Sequence, residues 1–91
     1  MPKVIVTKKH DLSVAEAQKK VETFAAGIAK KYEITGVWSG DRYNFKRTGV
    51  SGFVRVTEGK IAVEVDLSLM LSPLKSKVEE RVRQTLDKEF A

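Results

Sequence analysis

The sequence predicts an α+β fold in the order βαββββα, an antiparallel five-stranded sheet with two amphipathic helices packed on one face. Three observations carry it. Two segments, one early and one at the end of the chain, place apolar residues at helical three-to-four-residue spacing. Between them, four stretches alternate with period two and are parted by short glycine-containing connections that suit hairpins. The length of 91 residues allows one hydrophobic core and is short for two ordinary domains, so residues 1–91 read as a single domain.

The first strand is Lys3 to Lys8, with Val4 and Val6 on one face and Lys3, Ile5 and Thr7 on the other. Ser13 and Glu16 then have the spacing of a capping box, which can satisfy two orphan backbone N–H groups at a helix start. From Val14 the apolar stripe runs through Ala17, Val21, Phe24, Ala25, Ile28 and Tyr32, while Lys19, Lys20, Glu22, Lys30 and Lys31 lie mostly outside it.

After Tyr32 the period changes to two. Ile34 to Ser39, Asp41 to Arg47, Val50 to Thr57 and Lys60 to Leu69 read as strands, turning at Ser39-Gly40-Asp41, Thr48-Gly49 and Glu58-Gly59. Gly52, inside a strand, indicates a bulge or a close backbone approach. The last strand alternates most clearly, with Ile61, Val63, Val65, Leu67 and Leu69 against Ala62, Glu64, Asp66 and Ser68. Ser72-Pro73 opens the final helix, Ser as cap and Pro at the first helical position. Leu74, Val78, Val82, Leu86 and Phe90 form its apolar stripe, and the remaining positions are mostly charged.

Composition bounds the function. There is no cysteine, which excludes disulfides, thiolate catalysis and cysteine-based metal sites and suits a reducing cytoplasm. Seventeen Lys+Arg against 12 Asp+Glu leave a net charge of +5, with a pI near 9.6, an excess that attracts anionic partners only where it clusters. The segment Met1 to His10 contains only a three-residue apolar run, so it does not read as a signal peptide. No stretch approaches the roughly 20 apolar residues of a membrane span, and a soluble or at most peripheral protein is expected.

No catalytic constellation is visible. The one histidine, His10, stands beside Asp11, a pairing that can serve as a general base, but nothing completes a site and a capping or polar role is the simpler reading. Glu64 and Asp66 share a strand face about 6.5–7 Å apart, a separation used by paired catalytic carboxylates. Cross-strand ion pairing with Arg55 explains them without catalysis. Gly36-Val37-Trp38-Ser39-Gly40 superficially resembles a phosphate loop or serine elbow, yet it leads into a hairpin where both would need a helix. No metal or cofactor is expected.

Surfaces offer more. Arg42, Lys46 and Arg55 can project from one sheet face with Phe53 among them, a loose version of a single-strand nucleic-acid platform. Glu64 and Asp66 would partly neutralise it, and no aromatic ribonucleoprotein motif is present, so the balance weighs against nucleic acid. Trp38 reads as core or edge packing, with an exposed anchor as the functional alternative. Met70-Leu71, within a six-residue stretch holding four large apolar side chains, can form an exposed apolar corner.

Trp38-Ser39-Gly40-Asp41, then Phe45-Lys46-Arg47-Thr48-Gly49-Val50-Ser51-Gly52, and later Leu71-Ser72-Pro73-Leu74-Lys75 with Val78-Glu79 occur in an order that resembles the small bacterial proteins called putative polyhydroxyalkanoic acid system proteins. His10-Asp11-Leu12 and the Ala-rich helix after it match as well, and the resemblance covers nearly the whole chain. Ser76 departs from it, standing where the family has Gly, which favours the helix turn. The resemblance implies an accessory protein of polyhydroxyalkanoate storage without established catalytic residues, cytoplasmic and associated with the granule or a granule protein. Two other readings stand beside it: a reduced helix-grip binder of apolar ligands, and a weak nucleic-acid module on the basic sheet face.

Overall fold

Alternating valines start the fold: Val4 and Val6 are buried while Ile5 between them faces solvent. The computed structural model describes residues 3–90. Its elements are β1 (Lys3–Lys9), α1 (Val14–Tyr32), β2 (Thr35–Ser39), β3 (Arg42–Arg47), β4 (Val50–Thr57), β5 (Lys60–Leu67), a 3₁₀ helix (Leu69–Leu74) and α2 (Lys75–Glu89). The sheet is antiparallel throughout, in the order β1-β5-β4-β3-β2, so the first strand pairs with the last. The predicted α+β class and element order hold, with the 3₁₀ helix as an addition.

Directly opposed residues share a face, so the register divides the sheet. Val4, Val6, Val54, Val56, Ile61, Val63, Val65 and Leu67 line the helix side, together with Trp38, Tyr43 and Phe45. Against them pack Ala17 and Val21 of α1 and Leu86 of α2, followed by Phe90. Each of these large side chains contributes about 1.5–3 kcal/mol on burial. The two helices are best buried near Phe24 and Phe90, whose rings meet edge to face at 6.4 Å. Away from that point Ile28 and Tyr32 of α1, and Leu74 ahead of α2, are exposed. Lys8 Nζ, 2.9 Å from Asp87 Oδ1, links β1 to α2.

Several sequence expectations change in detail, among them the start of β3, which is Arg42 and not Asp41 because Asp41 belongs to the turn. The Glu16 N–H donates to Ser13 Oγ at 3.2 Å as expected, but the Glu16 carboxylate accepts from the Ser13 hydroxyl, at 3.0 Å, instead of from its N–H. Ile34 closes α1 through an N–H bond to the Ala29 carbonyl at 3.0 Å, so β2 begins at Thr35. Of the two readings of Gly52, the close backbone approach holds and the bulge does not: Gly52 lies opposite Val65 in continuous register, and any Cβ there would strike the Glu64 carbonyl and the Phe45 ring. Finally, Ser72-Pro73 does not open α2. It lies inside the 3₁₀ helix, with Ser72 Oγ donating to the Leu69 carbonyl at 2.8 Å, and β5 stops at Leu67.

Candidate functional site

Two surfaces emerge from this frame. The first is the sheet face away from the helices, where the register assembles Thr35-Lys46-Ser51-Asp66-Lys3, Val37-Asn44-Phe53-Glu64-Ile5 and Ser39-Arg42-Arg55-Ala62-Thr7 as cross-strand rows. Arg42, Lys46, Phe53 and Arg55 therefore do share this face, as the sequence predicts. Arg42 opposes Arg55 directly, and each side chain has another partner. The Arg42 guanidinium lies 4.2 Å from the centroid of the Phe53 ring, and Arg55 Nε donates to Asp41 Oδ2 at 3.2 Å.

Glu64 and Asp66 are explained by an ion pair, but with a different partner from the one expected. Lys3 of β1 sits 2.7 Å from Glu64 Oε1 and 3.9 Å from Asp66 Oδ1, while Arg55 faces Ala62 and takes Asp41. The hydrogen bond to Glu64, then the nearby Asp66 charge, raises the Lys3 pKa above its ordinary value. A shallow open depression of about 460 Å³ lies beside this network, lined by Val37, Asn44, Lys46, Ser51, Phe53 and Asp66. Arg42, Lys46 and Arg55 stand on β3 and β4, and the acidic Glu64 and Asp66 on β5 interrupt the basic surface before Lys3 of β1, where single-stranded nucleic acid is held by an unbroken positive track.

Trp38 separates from this group. It lies on the helix side of β2, half-buried, with its ring 5.4 Å from that of Tyr43 in an edge arrangement.

The second surface is the 3₁₀ helix after β5. Ser68 turns the chain, its N–H bonded to the Gly49 carbonyl at 2.9 Å and its own carbonyl accepting from Leu71 N–H at 3.0 Å. In this tight turn Leu71 points back and packs on the core beside Gly49. Leu69 is left 78%, Met70 88% and Leu74 44% exposed. The expected Met70-Leu71 corner is therefore a Leu69, Met70 and Leu74 corner. The missed residues carry an apolar signal in the sequence, but a six-residue stretch has no periodicity long enough to say which side chains turn out.

His10 is a structural tie. It is 7% exposed; Nε2 donates to the Thr57 carbonyl at 2.9 Å, and Nδ1 accepts from the Leu12 N–H at 3.1 Å. The backbone partners dictate this tautomer, because a carbonyl can only accept and an amide can only donate. The ring also lies 5.9 Å from Phe90, joining the ends of β1, β4 and α2. Both ring nitrogens are engaged, which leaves no lone pair for general-base work.

Between sheet and helices, Val4, Val21, Val56, Ile61, Leu67 and Leu86 are at most 2% exposed, so that space is filled where a helix-grip ligand would sit. Among the described residues, no group of three or more His, Asp or Glu side chains is placed to hold a metal ion, and no helix is long and apolar enough to cross a membrane.

The family model described as putative polyhydroxyalkanoic acid system protein matches residues 4–90. No curated protein and no solved structure matches the chain.

Proposed function

We infer, because the chain belongs to the putative polyhydroxyalkanoic acid system protein family, that it is a non-enzymatic accessory protein of polyhydroxyalkanoate storage, docking on the granule surface through its exposed apolar turn. The observation that supports this reading is the exposure of Leu69, Met70 and Leu74, three large apolar side chains on one six-residue 3₁₀ helix. Covering such side chains with an apolar polymer gains about 1.5–3 kcal/mol each, less the cost of association. Lys75 and Lys77 follow at once and are exposed, so the corner joins apolar anchors to basic groups, a combination suited to the boundary between an apolar phase and water.

A fluorescent fusion in granule-forming cells, with co-sedimentation of granules, tests the reading. Localisation to granules is expected, and a diffuse protein that fails to co-sediment would overturn it. Granules stripped of protein separate the partners: retained binding assigns the polyester surface, and lost binding assigns a granule protein and removes the surface reading.

A further inference from the structure

We propose that the free edge of β2 is a self-association surface on which two copies of this chain join antiparallel along Thr35–Ser39, about a two-fold axis at Val37. Among the described residues β2 is the last strand of the sheet, and one side of its backbone has no strand partner there. Its hairpin to β3 turns through Gly40-Asp41, and Gly40 at φ +62° suits the first central position of a type II′ turn. Such a two-residue turn makes Ser39 and Arg42 a hydrogen-bonded pair. By alternation Val37 and Thr35 also bond to β3, and the N–H and C=O groups of Gly36 and Trp38 point outwards.

That pattern is self-complementary. A two-fold axis at Val37 sets Gly36 opposite Trp38 of the second copy, and Trp38 opposite its Gly36. Every outward group of the two residues then meets a partner, in two narrow hydrogen-bonded pairs. Centring instead on Gly36 brings Trp38 opposite Ile34, whose N–H is already bonded to Ala29, and centring on Trp38 brings Gly36 opposite the turn at Gly40. The axis at Val37 therefore satisfies the most backbone.

Charge selects a second copy at this edge and rejects it at the other. β1, the opposite edge, carries Lys3, Lys8 and Lys9, and the same operation about Val6 would set Lys3 against Lys9. Sheets protect edges with such lysines. β2, with the sequence TGVWS, carries no charge, so two copies meet without like-charge repulsion. Apolar surface flanks it on both layers: Val37 is 65% exposed on the open face, and Ile28 and Tyr32 are exposed on the last turns of α1, which leads directly into β2.

The test is sedimentation of the full chain across micromolar to millimolar concentration. Wild type should approach twice 10.2 kDa. Val37→Lys and Val37→Glu should each weaken association by about tenfold or more, and their equimolar mixture should restore it, because the two side chains face each other across the axis. Circular dichroism of the variants verifies that the exposed substitution leaves the fold intact. In a chain free of cysteine, Val37→Cys should form a disulfide-linked dimer on mild oxidation, since opposed Cα atoms of a non-hydrogen-bonded pair lie about 4.5 Å apart. Ile5→Cys, exposed on the same face near the other edge, should not. A wild-type chain that stays at 10.2 kDa throughout, a dimer indifferent to Val37→Lys, or equal cross-linking of the two cysteine variants would each overturn the proposal.

Discussion

His10 Nε2 donates to the carbonyl of Thr57 across 47 residues of sequence, at 2.9 Å, and in doing so fixes the end of β1 to the β4–β5 turn. The same ring accepts the Leu12 N–H just ahead of α1, so one side chain satisfies two backbone groups at the junction of sheet and helices. Removing it strands the Leu12 N–H and takes one donor from the Thr57 carbonyl, which is left with its pairing to Lys60 across the two-residue turn. His10→Ala should lower stability by about 2–4 kcal/mol in urea denaturation, whereas Asp11→Asn, at an exposed position, should change it by less than about 0.5 kcal/mol. A large effect of Asp11→Asn would indicate that the pair acts as a unit.

Two glycines should respond in opposite directions to alanine. Gly27 lies within α1 with open space where a Cβ would stand, so Gly27→Ala should stabilise by about 0.4–1 kcal/mol. Gly52 lies against the Glu64 carbonyl and the Phe45 ring, and Gly52→Ala should destabilise by about 1–3 kcal/mol. Thermal unfolding of the two variants checks both signs.

The raised pKa of Lys3 gives a pH dependence of defined sign. Its folded value lies above the ordinary 10.5, so the contribution is full below that value and is lost as pH rises through the folded one. Wild type should therefore lose stability more steeply than Lys3→Met above about pH 10.5, and the difference should shrink in high salt because the pair is solvent-exposed. Denaturant midpoints measured across that window decide it.

The open sheet face should not retain nucleic acid. Arg55 pairs with Asp41 and Lys3 with Glu64, and Phe53 is covered by the Arg42 guanidinium, so two of the face's charges are neutralised and its aromatic ring is occupied. The chain should elute from a single-stranded DNA column at low salt, and Phe53→Ala should leave the elution unchanged. Retention that falls steeply with salt and is lost in Phe53→Ala would reverse this view.

Local patterns made most of the fold legible. Alternation fixed the faces of Val4, Val6 and the Ile61 to Leu67 strand, and it allowed Arg42, Lys46, Phe53 and Arg55 to be read on one sheet face, where the register places them. The register sets Trp38 on the other face, beside Tyr43, apart from that group. What escaped depends on distant pairing or on a segment too short for periodicity. Lys3 replaces Arg55 as the partner of Glu64 because β1 returns to lie beside β5, which no local pattern reveals. The inward turn of Leu71, with Leu69 outward, follows from the 3₁₀ geometry after Ser68 and not from amphipathic spacing.

The most direct test of the granule-docking account is binding of the purified chain to protein-free polyhydroxyalkanoate particles, compared with the double variant Leu69→Lys/Met70→Lys. Both positions are exposed, so the variant should keep its fold while losing two apolar anchors. Wild type should bind, and the double variant should bind at least about tenfold more weakly. Equal binding by the two proteins, or no binding by wild type, would contradict the account.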